Sequence, residues 1–247
     1  MGWDKPKCLL PCGTVSPNAL ERWGELGGPT LLDNTLLSIL EHGIRDVAIV
    51  VGYQRELVEE AAVSGIARER CRERGMRTAP INCEFIVNEN YATTNTIHSL
   101  WLAREYLSEG ILYFNGDVWF EPPVLSLLLQ QSGSALAVEV KRCGAEEVKV
   151  MADPSGRITE IGKNLPPVEA FGEFIGVAKF ERPACGLLVE SLQRYNEELD
   201  QRGLFFEAAL GDILDCHAFM AAPLEGLKAV EIDTPEDYAR AKAIWTS

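Results

Sequence analysis

Asp46-Val47-Ala48-Ile49-Val50-Val51-Gly52 is the stretch whose reading decides the fold class. The run is continuously apolar, of strand length and closed by a glycine, the pattern of a strand buried on both faces. Upstream, Leu32, Leu36, Ile39 and Leu40 recur at helical spacing and stop at Gly43, a helix C-terminus. Downstream, a helix around Glu56 to Ala62 leads to a strand at Glu84-Phe85-Ile86-Val87. A helix from Thr96 to Leu107 then carries Ile97, Leu100 and Trp101 on one face, and Ile111-Leu112-Tyr113-Phe114-Asn115 is a second buried strand. This alternation predicts an α/β fold with a mainly parallel (mixed) sheet and helices on both faces.

After Pro123 the expected strands are Ala135–Val140, Val148–Met151, Arg157–Ile161, Phe174–Phe180 and Lys228–Ile232, with a helix over Ala184–Asp200. Asp153-Pro154-Ser155-Gly156 reads as a turn between two short strands, so this half carries an antiparallel addition to the sheet. The last helix has a marked start: Thr234 caps it, Pro235 suits its first position, and Glu236 and Asp237 complement its dipole. No Pro/Ser-rich linker, long charge run or internal repeat divides the chain, so a single domain over residues 1–247 is expected.

The 247 residues carry 23 Lys+Arg against 37 Asp+Glu, a net charge of −14, and 47% are hydrophobic. That hydrophobic share excludes a disordered chain. The negative surplus repels phosphate backbones, so neither nucleic acid nor an anionic membrane surface is an expected partner, and any phosphate must be held locally. No apolar run reaches the ~18–20 residues that cross a bilayer, and Met1-Gly2-Trp3-Asp4-Lys5 lacks a signal-peptide core; a cytoplasmic protein is expected. The seven cysteines (Cys8, Cys12, Cys71, Cys83, Cys143, Cys185 and Cys216) are scattered without a C-x-x-C pair and read as reduced core residues.

In open α/β sheets ligands bind beyond the carboxyl ends of strands. Asp117 follows Phe114-Asn115-Gly116, where the glycine lets a ligand approach the backbone. Asp233 follows Val230-Glu231-Ile232. If both strand ends share one edge, the two carboxylates converge as a hard divalent cation bound also to phosphates requires; each alone also fits a plain turn or cap. Lys7, between Pro6 and Pro11, is expected in an extended segment able to reach a phosphate, or as a solvated terminal charge.

Pro6-Lys7-Cys8-Leu9-Leu10-Pro11, Val51-Gly52-Tyr53, Tyr91-Ala92-Thr93-Thr94-Asn95-Thr96-Ile97-His98-Ser99-Leu100 and Asn115-Gly116-Asp117 together resemble successive motifs of the sugar-nucleotidyltransferase-fold enzymes. Gly172-Glu173-Phe174-Ile175-Gly176, Phe205-Phe206-Glu207-Ala208-Ala209-Leu210 and Glu231-Ile232-Asp233-Thr234-Pro235-Glu236 place the resemblance in the phosphocholine and phosphonate cytidylyltransferase-like branch, over residues 5–243. The resemblance implies a Rossmann-like three-layer fold and transfer of CMP from CTP, or another nucleoside triphosphate, to a small phosphorylated alcohol or phosphonate, with release of pyrophosphate. It implies that Asp117 and Asp233 hold Mg²⁺ and act in catalysis with Lys7. Lys7, Gly52, Tyr53, Thr94, Asn95 and Gly116 would contact the nucleotide, and Lys149, Lys163, Glu173 and Glu207 the acceptor. Trp119, Phe171 and Tyr195 are available to a quaternary ammonium.

The family's opening strand and G-x-G-x-R loop are missing ahead of Pro6-Lys7, and Met1-Gly2 falls about where that loop ends. The expectation is a start assigned too late or a chain truncated at its N-terminus; a pseudoenzyme without a phosphate cradle is the alternative. Thr14 to Pro29 reads as a loop serving as a lid, a homodimer contact or a surface excursion. Three other readings stand beside the first: a sugar-1-phosphate nucleotidyltransferase, a non-catalytic regulatory protein, and a glycosyltransferase, whose D-x-D element Asn115-Gly116-Asp117 lacks.

Overall fold

The chain's structure, a computed structural model, describes residues 4–13, 29–64 and 81–245. Met1-Gly2, residues 14–28 of the expected loop, and Cys71 lie outside the described residues. In chain order the strands are β1 (Asp46–Val51), β2 (Asn82–Val87), β3 (Gly110–Phe114), β4 (Val118–Phe120), β5 (Ser134–Glu139), β6 (Lys149–Ala152), β7 (Ile158–Gly162), β8 (Gly172–Glu181), β9 (Phe219–Pro223) and β10 (Ala229–Glu231). The helices are α1 (Leu31–Glu41), α2 (Arg55–Ser64), α3 (Thr96–Leu102), α4 (Pro123–Gln130), α5 (Arg182–Gln193), α6 (Glu207–Gly211) and α7 (Pro235–Trp245). They divide between two compact units, one of Met1–Phe85, Asn115–Leu125 and Leu227–Ser247, the other of Ile86–Phe114 and Ser126–Gly226. Among the described residues no helix is long and apolar enough to cross a membrane.

In the first unit, Thr30 and Asp33 form a reciprocal cap that starts α1, which buries Leu31, Leu36, Ile39 and Leu40 and ends at Gly43 in a left-handed conformation. β1 pairs with β2. β4 and β10 form an antiparallel ladder in which Val118 faces Glu231 and Phe120 faces Ala229. Leu10, Leu31, Trp119, Val230, Ile232 and Ala241 make this unit's core, with Trp245 of α7 set edge-on to Trp119. Trp119 is thus a core residue and offers no face to a ligand. α7 begins as its sequence signals: the Asp237 amide donates to Thr234 Oγ1 at 3.2 Å and the Thr234 amide to Asp237 Oδ2 at 2.9 Å.

The second unit is built on β8. β3 and β6 pair with successive parts of it, β5 pairs with it on the other side, and β7 and β9 extend the sheet beyond β6 and β5. The β5/β8 register shifts between Leu136 and Val138, opposite a stretch of β8 in which Gly176 takes φ +74°, the mark of a bulge that needs glycine. α3, α5 and α6 pack together and cover the sheet, around Ile97, Phe174, Phe180, Leu188 and Phe206.

The chain is a mixed α/β structure, but of the pairings described in this sheet only β5/β9 is parallel. A short connection accounts for one of the antiparallel pairings. The Asp153–Gly156 turn, with Asp153 Oδ1 accepting from the Ser155 and Arg157 amides, is too short for a crossover and folds β7 back along β6. Two helices end sooner than their periodicity predicts: α3 stops at Leu102, and α5 at Gln193, where a π-helical turn (Arg194–Glu198) buries Asn196. β4 and β9 carry too little pattern to be read as strands, being three residues long and an Ala-rich run ending in Pro223.

Candidate functional site

The β4/β10 ladder brings Asp117 and Asp233 together. Beyond the Val118/Glu231 pair the ladder continues with the Ile232 amide donating to the Asp117 carbonyl at 3.0 Å, so Asp233 emerges beside Asp117. Lys7 Nζ lies between them, 3.0 Å from Asp117 Oδ2 and 2.6 Å from Asp233 Oδ1. The condition for convergence, two strand ends on one edge, is met in a different way: the end of β10 lies beside the start of β4 in an antiparallel ladder. Lys7 does not lie in an extended stretch either. Pro6 and Leu10 are extended, but Lys7–Leu9 form a 3-10 turn closed by the Leu10 amide on the Lys7 carbonyl, and this turn aims the lysine at the carboxylates. Burial pulls the Lys7 pKa down, yet the charge of Asp117 and hydrogen bonds to both carboxylates outweigh it and hold the ammonium above the ordinary lysine range.

Two carboxylates that share one ammonium are a donor set that also suits a hard cation. Among the described residues no cluster of three or more His, Cys, Asp or Glu forms a closed metal cage. A pair of carboxylates fits Mg²⁺, which takes one or two such ligands and leaves its other positions to water and phosphate. Burial, aided by the charge of Asp117, pushes the thiol of Cys8, next to Lys7, up to about 12, which disfavours its thiolate. Among the described residues a Cβ added at Gly116 would meet only Cys8 Cβ, at 3.9 Å. Gly52 and Tyr53 form the turn after β1, where Gln54 Nε2 donates to the Tyr53 hydroxyl and to the carbonyl of Asp4, three residues ahead of Lys7.

Thr94 and Asn95 belong to the second unit. Asn95 caps α3 through its side-chain oxygen, which accepts from the Thr96 amide at 2.8 Å. Asn88, buried and missed by sequence reasoning, organises the turn before it: its side-chain nitrogen donates to Thr94 Oγ1 and Ser99 Oγ, and its oxygen accepts from the Asn90 amide. Residues 95–97 are stitched to a distant segment. The Asn95 amide donates to the Arg202 carbonyl, the Ile97 amide to the Leu204 carbonyl, and the Phe206 amide to Thr96 Oγ1.

The four expected acceptor contacts differ among themselves. Lys149 is 1% exposed, and its ammonium donates to the carbonyls of Ala145, Glu147 and Lys163, so all three N–H groups are taken. Lys163 Nζ stands 4.5 Å from the centroid of the Phe205 ring, and the Tyr195 ring carries the Arg194 guanidinium at 5.3 Å. Glu173 is paired with Lys141 at 2.6 Å, and the same ammonium reaches Glu139 at 3.2 Å and Glu147 at 3.0 Å. Glu207 is 6% exposed, and among the described residues its Oε2 has no hydrogen-bond partner. Burial pushes its carboxyl up to about 7, against the pull of its own backbone amide and of Lys163.

No family model matches the chain. It is 30% identical over 227 residues to the CMP-5'-(3-aminopropyl)phosphonate synthase of Streptomyces rubellomurinus, an alignment covering 87% of this chain and 34% of that protein. The chain thus spans about a third of the length of this curated relative. Among solved structures it is similar to the CTP:phosphocholine cytidylyltransferase of Streptococcus pneumoniae, with a TM-score of 0.67 and 16% identity over 98% of this chain and 90% of that one. It is also similar to the inositol-1-phosphate CTP transferase of T. maritima (TM-score 0.63, 16% identity, 94% and 88% covered) and to a UDP-glucose pyrophosphorylase complexed with UDP-glucose (0.69, 15%, 98% and 90%). The chain has the nucleotidyltransferase fold.

Within this nucleotidyltransferase fold, Lys7, Asp117 and Asp233 are brought together from the start, the middle and the end of the sequence. Lys149, Lys163 and Glu207 are linked in the second unit, where the Lys149 ammonium holds the Lys163 carbonyl and Lys163 lies over the residue two before Glu207. Glu173 is instead tied to Lys141, which carried no signal beyond its place just after the β5 strand run.

Proposed function

We propose that this chain is a Mg²⁺-dependent cytidylyltransferase that transfers CMP from CTP to a small phosphorylated alcohol or phosphonate. The observation that carries the reading is the meeting of Asp117 and Asp233 on a single cationic point at Lys7. The relative named for a CMP-phosphonate supports the acceptor class.

A phosphoryl or phosphonyl oxygen of the acceptor forms a bond to the α-phosphorus of CTP, the α–β bridging P–O bond breaks, and pyrophosphate leaves with that electron pair. Asp117 and Asp233 would hold Mg²⁺, which would neutralise charge on the triphosphate. Lys7, released from the carboxylates, stabilises charge on the α-phosphate and leaving group. Thr94 and Asn95 contact the nucleoside, where an amide both donates and accepts. Lys163 and Glu207 hold the acceptor: the ammonium takes a phosphonate oxygen, and the unpartnered carboxyl oxygen takes a donor.

The test incubates the chain with CTP, Mg²⁺ and either 2-aminoethylphosphonate or phosphocholine, following pyrophosphate and the ³¹P signal of a CMP-linked product. Turnover confined to UTP with a sugar 1-phosphate would move the chain to the sugar-nucleotide branch. Silence with every pair would leave a non-catalytic protein of this fold.

A further inference from the structure

α6 starts without a side chain of its own to cap it: Phe206 precedes it and supplies no capping hydrogen bond. The Phe206 amide is instead satisfied from outside, by Thr96 Oγ1 at 2.9 Å, 110 residues away in sequence. Two further bonds hold the same segments together, Asn95 N to Arg202 O at 2.9 Å and Ile97 N to Leu204 O at 3.3 Å. The Phe206 ring, fully buried against Tyr113 and Phe174, fixes the other side of this residue. Glu207 follows directly, its unpartnered oxygen enclosed. A carboxylate at the first residue of a five-residue helix has little regular structure to orient it, so its direction depends on what anchors residue 206.

We infer that Thr96 is a positioning residue for Glu207, setting acceptor affinity from the helix whose start contacts the nucleoside. This rests on the reading above, in which Glu207 meets the acceptor. Thr96 makes no contact with the acceptor in this account; it acts through the Phe206 amide, and the 95–97/202–206 stitching makes nucleoside and acceptor contacts parts of one hydrogen-bonded piece.

The experiment compares Thr96→Val, Thr96→Ser and Glu207→Gln with the parent chain, measuring KM for 2-aminoethylphosphonate, KM for CTP, kcat and the thermal midpoint. Valine keeps the shape of Thr96 and removes the acceptor oxygen, so KM for the phosphonate should rise about tenfold, the scale of one lost hydrogen bond, with KM for CTP changing by less than about twofold. Serine restores the oxygen and should restore the phosphonate KM. A Val variant with the parental phosphonate KM, while Glu207→Gln raises it, would overturn the positioning role. So would equal rises in both KM values that serine fails to rescue, since that is loss of structure. An unmoved phosphonate KM in Glu207→Gln would instead remove Glu207 from the acceptor site, a different failure with a different signature.

Discussion

Lys7 and Lys149 both sit among oxygens, yet they are held in opposite ways, and the contrast separates the two units. Lys7 is about a third exposed and shares its ammonium between two carboxylates, one of which is itself more than half exposed. Such partners exchange easily: solvent screens the pairs, and another cation can take the same oxygens. Lys149 is enclosed and gives all three N–H groups to backbone carbonyls. Those carbonyls carry no exchangeable charge, and they belong to the segment leading into β6 and the turn that follows β7. The first arrangement suits binding and release; the second suits fixing a loop. Residue type does not distinguish them, but the chemistry of their partners does.

Removing the exchangeable carboxylates should give the largest effect. Asp117→Asn or Asp233→Asn, in the CTP reaction with phosphonate acceptor, is expected to lower kcat about 10³-fold with the thermal midpoint nearly unchanged, as when a preorganised charge-stabilising group is lost. Undiminished pyrophosphate release in either variant would sink the metal role of that residue. Lys7→Ala comes next, with a loss of about 10²-fold. This variant should also bind Mn²⁺ more tightly in the absence of nucleotide, because the competing ammonium is gone; weaker Mn²⁺ binding, followed by the ion's own paramagnetic signal, would break the account of Lys7 as an exchangeable partner.

The same contrast explains what could be read from the sequence. Asp117, Asp233 and Lys7 could be singled out because each follows or joins a recognisable local pattern: an apolar strand, a helix start, a Pro-flanked turn. Their meeting, however, depends on the pairing of β4 with β10, two three-residue strands whose Val118/Glu231 pair joins residues 113 apart in sequence. Pairing is a non-local choice that periodicity does not encode. The β6/β7 hairpin was legible since its turn chemistry lies in four adjacent residues, whereas the Asn88, Thr96 and Lys141 contacts reach across sequence and gave no local sign. Lys149 illustrates the converse: its apolar setting was visible, but its three carbonyl partners were not.

Glu207 gives a pH test of the second unit. Its carboxyl is raised from 4.5 to about 7 in the folded chain, so the native state holds this proton more tightly than the unfolded one. The resulting stability is fully present below about pH 4.5 and is lost as pH rises through about 7, amounting to about 3 kcal/mol for a shift of this size. Glutamine mimics the protonated form and has no such dependence. Urea unfolding should therefore find the parent chain and Glu207→Gln close together near pH 5, with the variant ahead by up to about 3 kcal/mol near pH 8. A gap that does not widen with pH would mean that Glu207 is solvated or paired.

The smallest effect belongs to Lys149, and it sharpens the opening contrast. Lys149→Met keeps the length of the chain and removes the ammonium, leaving the carbonyls of Ala145, Glu147 and Lys163 without that donor. Unsatisfied buried carbonyls destabilise, while relief of an enclosed charge stabilises, so the two offset and a net cost of about 1–2 kcal/mol is expected. Because the Lys163 carbonyl is one of the three, any effect on turnover should arrive through acceptor KM and leave kcat alone. Loss of kcat at unchanged stability would mean that Lys149 leaves its carbonyls during the reaction and behaves as Lys7 does. Unchanged kcat with a lowered urea midpoint would mark it as the fixed lysine of the pair.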